Sequence, residues 1–397
     1  MSGGPGTIYL DHAATTPPDA DVAAAMAEAA RIGFGNPSSQ HAAGRAARRV
    51  LEDARERILE ALGGHGDGRR SGRHRDRLVF TSGASEANHL GILGLAAAAG
   101  RGTILLTARD HASARNAATT AAGRLGWSIA EIGLDAAGRT AAADLAGAIG
   151  DTAGPTIVAL TLVCGQSGAI ERPETCRAAA ATAVLHCDAT QAVGLLPIDF
   201  TELSAATLAL APHKFGGPRG IGALLVRGDV PLVPPVAGTQ EEGLRPGTEA
   251  VPLAAGFARA LELARRRMAG DAARITALRE RFEGRIVPSA EAAGVTAMIV
   301  AAAADRAPHI TTVAFRGVDR QALALAADLA GVCLATGTAC TSGSSEPAPA
   351  LVAMGLPADV VNSAVRLSFG RTTTEADVDE AIARLAGILA RHARRQA

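Results

Sequence analysis

Lys214 is the residue in this chain best placed to act as an amine nucleophile. It stands in a loop rich in glycine and proline, between apolar segments at 205–211 and 221–226 that are both predicted to be strands. Apolar surroundings remove water from an amine, which favours the neutral form that attacks a carbonyl carbon. A surface lysine in a turn would look the same on its own. Two features favour the nucleophile: nearly every other basic residue is arginine, and a carboxylate lies upstream.

Asp188 is that carboxylate, and it follows a short apolar strand predicted at 183–187. In open sheets with alternating strands and helices, ligands bind at the carboxyl ends of the strands. A lysine that forms a Schiff base and a carboxylate that pairs with a pyridinium nitrogen are the protein's contribution to pyridoxal 5'-phosphate (PLP) chemistry. An aspartate after a strand is more often a turn former or a helix cap, so this pairing depends on the rest of the chain.

A phosphate site is predicted where Phe80–Asn88 passes from a strand through a glycine turn into a helix. Backbone N–H groups at a helix N-terminus favour an anion, Ser82 and Ser85 add hydroxyls, and Gly83 allows a close approach. A plain serine N-cap would explain the same residues. His111, just after the next predicted strand, could stack on a planar ring, although a lone histidine there is more often a surface residue.

Composition narrows the class of protein. The 397 residues carry no net charge, which gives no electrostatic argument for binding nucleic acid or a membrane. No uncharged apolar stretch of about 18 residues occurs, and no basic segment precedes an apolar run at the N-terminus, so we expect neither a membrane span nor a signal peptide. The cysteines show no ligand-like spacing, which favours a reducing cytoplasm and no structural metal. Four of them, Cys164, Cys176, Cys187 and Cys333, are expected to be buried and inert.

Strands and helices alternate up to about residue 226, which predicts a doubly wound, mostly parallel seven-stranded α/β sheet with helices on both faces. The strands are predicted at 78–81, 103–107, 127–132, 156–163, 183–187, 205–211 and 221–226, and helices between them at 85–99, 112–125, 141–149 and 173–182. A long helix at about 251–283 is expected to lead into a smaller α+β unit. We therefore expect a large domain at 16–255 and a small domain made of 1–15 and 256–397. The basic segment Gly63–Arg77 is predicted to be a solvated linker.

Short motifs at several places in the chain complete a pattern. They are Leu10–Pro17, Phe34–Ser38, Phe80–Asn88, His186–Gln191, His213–Lys214, Arg245–Thr248, Gly337–Thr341 with Glu346–Pro347, and Arg366–Arg371. Taken in order, they resemble the cysteine desulfurases of the NifS/IscS type, within the class V aminotransferases of the fold-type-I PLP superfamily. The resemblance spans nearly the whole chain, and the ordered set is a stronger signal than any single motif.

The resemblance implies a PLP site on a fold-type-I architecture. Lys214 would hold the cofactor as a Schiff base, with His213 beside it, and Asp188 would pair with the ring nitrogen. Thr248 would reach the phosphate from the second subunit of a homodimer. The residues implied to bind the cofactor are Ala84, Ser85, His111, Asp188, Gln191, His213, Lys214 and Thr248.

The resemblance also implies that L-cysteine is converted to L-alanine. His111 would act in proton transfer, Arg366 would clamp the substrate carboxylate with its fork of donors, and Asn36 would contact the substrate. Cys340 would attack the sulfur of bound cysteine and hold it as a persulfide for an acceptor protein. Its setting among small residues suits this task independently, because a nucleophilic cysteine needs access. A chance cysteine in a serine-rich loop is the plain alternative.

Two positions depart from the family pattern. Gly165 stands where the family has an asparagine that bonds the ring hydroxyl, and Ala211 where it has a serine that contacts the phosphate. Each missing hydrogen bond would cost about 0.5–1.5 kcal/mol of cofactor binding. These departures indicate a specialised member, and two alternatives to desulfuration are open, the first of them because of these departures. One is a PLP-dependent C–S or C–Se lyase or aminotransferase without persulfide transfer, and the other is a non-catalytic PLP-fold protein that serves as a binding platform.

Overall fold

The structure, a computed structural model, describes residues 6–65, 75–336 and 346–396. Within these residues the strands are β1 (Ile8–Tyr9), β2 (Arg77–Thr81), β3 (Thr103–Thr107), β4 (Ser128–Ile132), β5 (Thr156–Thr161), β6 (Val184–Asp188), β7 (Thr207–Leu210), β8 (Gly222–Val226), β9 (Ala297–Ile299), β10 (Ile310–Phe315), β11 (Val332–Cys333) and β12 (Ala364–Ser368). The helices are α1 (Ala20–Ile32), α2 (Ala42–Ala61), α3 (Ala84–Ala99), α4 (Ala112–Leu125), α5 (Ala142–Gly150), α6 (Pro173–Thr182), α7 (Phe200–Leu203), α8 (Val251–Ala292), α9 (Arg320–Leu329), α10 (Pro349–Ala353), α11 (Ala358–Ser363) and α12 (Glu375–Gln396).

The largest sheet in the described part of the chain has seven strands in the order β2-β8-β7-β6-β5-β3-β4. Neighbouring strands from β7 to β4 pair in parallel, whereas β8 is antiparallel to both β2 and β7. Successive residues of β3 enter different apolar clusters, Leu105 on one face and Ile104 and Leu106 on the other. A strand buried on both faces needs a continuous apolar run, which is why the sequence predicted these strands well. The predicted fold class is confirmed.

Helix α8 is longer than predicted. It runs from Val251 to Ala292, whereas the sequence was expected to end it near residue 283, before Pro288. Proline in a helix interior removes a hydrogen bond and usually ends or kinks the helix. Here the turns around it are fixed by burial of Phe282, Ile286 and Ala290 in an apolar cluster, so packing overrides the local break.

A second apolar cluster surrounds the smaller sheets. Strands β9, β10 and β12 form an antiparallel sheet, and β1 pairs in parallel with β11 near the other end of the chain. The cluster combines Ile8 and Leu10 from the N-terminal arm with residues of α8, α9 and α12. This arrangement supports our proposed division into 16–255 and 1–15 with 256–397, which stays a prediction.

The sequence did not predict the shortest elements. Strands β1 and β11 have two residues each and β9 has three, which is too few to show a periodic pattern. In the residues that the structure describes, none of the helices is both long and apolar enough to span a bilayer.

Candidate active site

A cavity of about 520 Å³ opens at the carboxyl ends of β5 and β6, beside the start of α3. This volume is in the range that small-molecule ligands occupy. The predicted site residues that line it are Ala84, Ser85, His111, Asp188, Gln191, His213, Lys214 and Arg366. The topology therefore brings together residues that lie almost 300 positions apart in the sequence.

Lys214 is held by the N-terminal arm. It ends a short 3₁₀ turn after β7, and its Nζ donates to the carbonyl oxygens of Ala13 at 2.7 Å and Ala14 at 2.9 Å. The arm is fixed to the same loop by Thr16, whose N–H donates to His213 O at 2.9 Å and whose hydroxyl accepts from Gly216 N at 2.8 Å. The arm thus positions the amine and forms part of the cavity wall.

Asp188 is the last residue of β6 and is 5% exposed. Its Oδ1 accepts from the backbone N–H of Thr190 at 2.9 Å, and its Oδ2 accepts from the Asn88 side chain at 2.8 Å. Two neutral donors fix the carboxylate in place and leave its negative charge to act on the cavity, where Lys214 also lies.

The start of α3 gives the cavity an anion-binding end. Gly83, Ala84 and Ser85 line the cavity at the N-terminus of this helix. Helix N-termini carry unsatisfied N–H groups and a partial positive charge. Gly222 of β8 allows this arrangement, because a Cβ atom there would lie 2.5 Å from the backbone carbon of Gly83 and 2.9 Å from Ala84 N.

Two histidines stand near the amine. His111 is the N-cap of α4, and its Nδ1 accepts from the backbone N–H of Ser113 at 3.1 Å. His213 packs next to Lys214 with its Nδ1 3.2 Å from Thr15 Oγ1. Burial, and then the charges of Lys214 and Arg219, lower the pKa of His213 to about 4, so this ring is neutral at pH 7.

Gln191 connects the arm to a buried histidine. Its Nε2 donates to Ala13 O at 2.8 Å, and its Oε1 lies 3.1 Å from His309 Nε2. Burial is the main cause that lowers the pKa of His309 to about 3, with Arg366 the next largest. His309 is therefore neutral and donates its Nε2–H to Gln191. His309 was not among the residues predicted from the sequence.

Arg366 comes from β12 of the smaller sheet and reaches the cavity with its side chain only 6% exposed. Its Nη1 donates to Gly165 O at 2.8 Å, and its Nη2 to Asp11 Oδ1 at 2.9 Å. These two contacts orient the guanidinium. Asp11 belongs to the Leu10–Pro17 motif, but its role as the partner of Arg366 was not predicted.

Two predicted site residues, Asn36 and Thr248, are not among the described residues that line the cavity. Asn36 and Thr248 are exposed on this chain, and Asn36 Oδ1 accepts from Ser38 N at 2.8 Å in a local turn. Cys340 lies outside the described residues. Among the other cysteines, Cys164, Cys176 and Cys187 are buried as expected, but the prediction for Cys333 is wrong: it is only half-buried in the short edge strand β11.

Residues that hold the site in place were mostly missed. Asn88, one helical turn into α3, is fully buried and contacts Asp188 and Ser113. Arg109, which lies two residues before His111, forms a fully buried ion pair with Glu171. The available signal for Asn88 was an amide close to the apolar part of α3 that begins at Leu90, and polar residues that are buried require partners.

Comparisons with known proteins agree with the geometry. The family model Aminotransferase class-V matches residues 8–381. A relative named cysteine desulfurase, from Gluconacetobacter diazotrophicus, is 35% identical over 388 residues, which cover 97% of this chain and 94% of the relative. The solved structure of a NifS-like protein from Rickettsia africae has a TM-score of 0.84 at 27% identity and covers 96% of this chain and 99% of its own. The structure of SspA in complex with cysteine has a TM-score of 0.75 at 26% identity, covering 93% and 100%.

The family match includes the arm, the main sheet and the first turns of α12, so it extends over every described segment that contributes to the cavity. The resemblance predicted from the ordered motifs is thereby confirmed. The chain belongs to the class-V aminotransferase family, and within that family to the cysteine desulfurases.

Proposed function

We propose that this chain is a PLP-dependent cysteine desulfurase that converts L-cysteine to L-alanine and passes the sulfur, through a persulfide on Cys340, to an acceptor protein. The observation that carries the proposal is one cavity lined by the Lys214 amine, the Asp188 carboxylate and the N-terminus of α3. The identity of the acceptor is left open.

The chemistry of the cavity lining fits PLP. Lys214 supplies an amine for the aldehyde, Asp188 a carboxylate for the ring nitrogen, and Ala84 and Ser85 a helix N-terminus for the phosphate. When bound, PLP supplies an electron sink for the negative charge that develops on the substrate. Because Asp188 is held by two neutral donors, its charge is available to keep the ring nitrogen protonated.

Further residues are proposed to hold the ring. Gln191 uses one of its two amide hydrogens on Ala13 O, and the other is assigned to the ring oxygen. His111 is assigned to stack on the ring, and neutral His213 to flank the lysine without adding a second positive charge. Thr248 is assigned to the phosphate of the other subunit in a homodimer, which agrees with its exposure on this chain.

Arg366 is proposed to bind the carboxylate of L-cysteine, and Asn36 is proposed as a further contact to the substrate. A guanidinium offers five N–H donors in a rigid fork, and Gly165 O and Asp11 each occupy one of its terminal nitrogens. These partners fix the plane of the fork before the substrate arrives. Lys214 donates to two carbonyl oxygens of the arm, so the amine is also oriented in advance.

Cys340 is proposed to take the sulfur. The residues that flank its segment lie at the site: Ala335 exchanges backbone hydrogen bonds with Arg366, at 3.0 Å and 2.7 Å, and Glu346 and Pro347 line the cavity. Only five positions separate Cys340 from Ala335. A thiolate is a strong nucleophile. As it forms a bond to the sulfur of the bound cysteine, the C–S bond breaks, and the carbon keeps the electron pair and takes up a proton, so that the remainder of the substrate leaves as alanine.

The experiment is turnover of L-cysteine by the purified protein, with alanine and sulfide both quantified in the presence of a thiol reductant. We expect Cys340→Ser to keep the visible absorbance of the lysine Schiff base and to form no sulfide above background. The control Cys333→Ser removes a half-buried cysteine outside the cavity lining and is expected to keep activity. Normal turnover by Cys340→Ser would show that the role assigned to Cys340 is wrong.

A second reaction class, C–S or C–Se lyase or aminotransferase chemistry, is supported by the open space at Gly165. Among the described residues, a Cβ atom there would meet only Gln191 atoms, at 3.8 Å or more, so these residues leave space where the family places an asparagine. Assays with L-cysteine, cysteine sulfinate and selenocysteine separate the two classes. Sulfide or selenide release that does not depend on Cys340, or formation of a keto acid, would favour this second class.

We also propose a homodimer. Phe34, two residues before Asn36 in sequence, is 78% exposed, and Val236 is 60% exposed. Apolar side chains with this exposure near residues assigned to a shared site support an interface between two copies. Sedimentation of the purified protein tests this assignment, and a monomer at working concentrations would contradict it. The cytoplasmic location stays a prediction.

A further inference from the structure

Asn88 is the centre of a network of hydrogen-bonded, buried polar side chains that includes the cavity residue Asp188. The amide of Asn88 is fully buried in α3. Its Nδ2 lies 2.8 Å from Asp188 Oδ2 and 2.8 Å from Ser113 Oγ, and its Oδ1 lies 3.0 Å from His186 Nε2. One amide therefore contacts the carboxylate assigned to the ring nitrogen and the residue that contacts His111.

The directions of the hydrogen bonds that run from Asn88 to His186 and Thr207 follow from Asp188. A carboxylate can only accept, so Asn88 must turn its NH₂ group toward Asp188 and its carbonyl toward His186. His186 must then donate from Nε2. Burial lowers the pKa of His186 to about 4, so the ring is neutral at pH 7 and its Nδ1 accepts from the Thr207 hydroxyl at 2.8 Å.

The directions of the hydrogen bonds between Asn88 and His111 follow from the backbone of α4. The N–H of Ser113 can only donate, and it points at His111 Nδ1 at 3.1 Å. The Ser113 hydroxyl accepts from Asn88 and lies 2.7 Å from the same Nδ1, so its own proton is directed there. Nδ1 of His111 is thus an acceptor, and a neutral imidazole with Nδ1 as acceptor carries its proton on Nε2.

We propose that Asn88 and Ser113 are positioning residues that fix His111 in the Nε2–H tautomer while holding the Asp188 carboxylate in place. The functional part rests on the proposed function, because the roles of His111 and Asp188 come from it. A ring held in this tautomer offers a proton from Nε2, on the side away from Ser113, and cannot act as a base at that nitrogen until the proton has left. Asn88 thereby couples the orientation of two groups that line the same cavity.

Nitrogen NMR of the cofactor-loaded protein, labelled with ¹⁵N only in histidine, tests the tautomer directly. The chain has 10 histidines, and His111→Gln identifies the resonances of His111 by their loss. In the unaltered protein we expect a one-bond ¹⁵N–¹H coupling at Nε2 and none at Nδ1. A proton on Nδ1 of the neutral ring would overturn the inference.

Two variants test the positioning roles. Ser113→Ala removes the hydroxyl but keeps the backbone donor, and Asn88→Ala removes the donor to both Ser113 and Asp188; each is expected to produce a mixture of tautomers at His111. Thr207→Val is the matched control. It removes a buried hydroxyl that contacts His186, on the other side of Asn88 from His111, and should leave the tautomer of His111 unchanged. If Asn88→Ala does not fold, the smaller change Ser113→Ala decides.

The outcomes separate this inference from the proposed function. Variants that keep the pure Nε2–H tautomer would show that the Ser113 backbone alone fixes the ring, and the role of Asn88 would be lost. A correct tautomer in a protein that does not consume L-cysteine would contradict the proposed function and leave the hydrogen-bond assignment intact. Turnover of L-cysteine by a protein in which His111 lacks the expected tautomer would contradict the hydrogen-bond assignment and leave the proposed function intact.

Discussion

The buried ion pair between Arg109 and Glu171 provides a quantitative test of the site's support. Both side chains are 0% exposed, and Arg109 Nη1 lies 2.7 Å from Glu171 Oε2. Arg109 Nη2 also donates to Ala169 O at 2.8 Å, and Glu171 accepts from Thr140 N at 3.1 Å. The pair joins the loop before His111 to the loop after β5.

Replacing Arg109 with methionine keeps most of the volume but leaves the Glu171 carboxylate buried without its cation. Loss of one partner of a buried pair costs about 3–5 kcal/mol of unfolding free energy. The control is Arg177→Met, which breaks an exposed pair with Glu174 whose side chains are 53% and 72% exposed. An exposed pair of this kind contributes about 0–1 kcal/mol.

Urea unfolding at a fixed cofactor concentration measures both variants, since bound cofactor shifts the midpoint. Arg109→Met should lower the free energy of unfolding several times more than Arg177→Met. Adding Glu171→Gln to Arg109→Met removes the unpaired charge and should recover about 1 kcal/mol or more. Equal losses for Arg109→Met and Arg177→Met, or no recovery in the double variant, would refute the reasoning.

Two further predictions concern a glycine and a histidine. Gly222→Ala places a Cβ atom 2.5 Å from the Gly83 backbone and should displace the start of α3, which we expect to weaken PLP binding about tenfold or more. Gly165→Ala, where the nearest described atom to the new Cβ is 3.8 Å away, should change PLP binding little, and spectroscopic titration of the cofactor measures both. His309 has a folded pKa of about 3 against its ordinary 6.5, so the unfolded chain binds the extra proton, and the contribution to stability is full above pH 6.5 and falls as the pH drops toward 3. His309→Gln should therefore reduce the change in unfolding free energy between pH 6.5 and 4.5 by about 2 kcal/mol, and an unchanged dependence on pH would contradict this.

The main sheet could be predicted because its strands are apolar on both faces. Each predicted strand of this sheet lies within two residues of its observed position, as with β3, predicted and observed at 103–107. The failures occur where tertiary contacts override local signals. Helix α8 continues through Pro288 because Ile286 and Ala290 pack into a core that the local sequence does not reveal. Strand β1 exists only because it pairs with β11, more than 300 residues later.

The residues of the site also fall into a group that could be predicted from the sequence and a group that could not. The sequence identified residues whose types are dictated by ligand chemistry: an amine at Lys214, a carboxylate at Asp188 and a guanidinium at Arg366 all line the cavity. These residue types are required wherever such a ligand binds, so they can be recognised without knowing the fold. Their roles stay predictions until tested on the protein.

The residues that hold these groups could not be found in the same way, because any donor or acceptor in the right place would serve. Asp188 needs two donors, and the chain supplies a backbone N–H and an amide that lies 100 positions upstream in another element. Arg366 needs acceptors, and it uses a carbonyl oxygen and the side chain of Asp11 from the N-terminal arm. Only the fold specifies these neighbours. If the support of the site matters as much as its contacts with ligand, variants of Asn88 and Asp11 should alter reactivity although neither residue was predicted from chemistry alone.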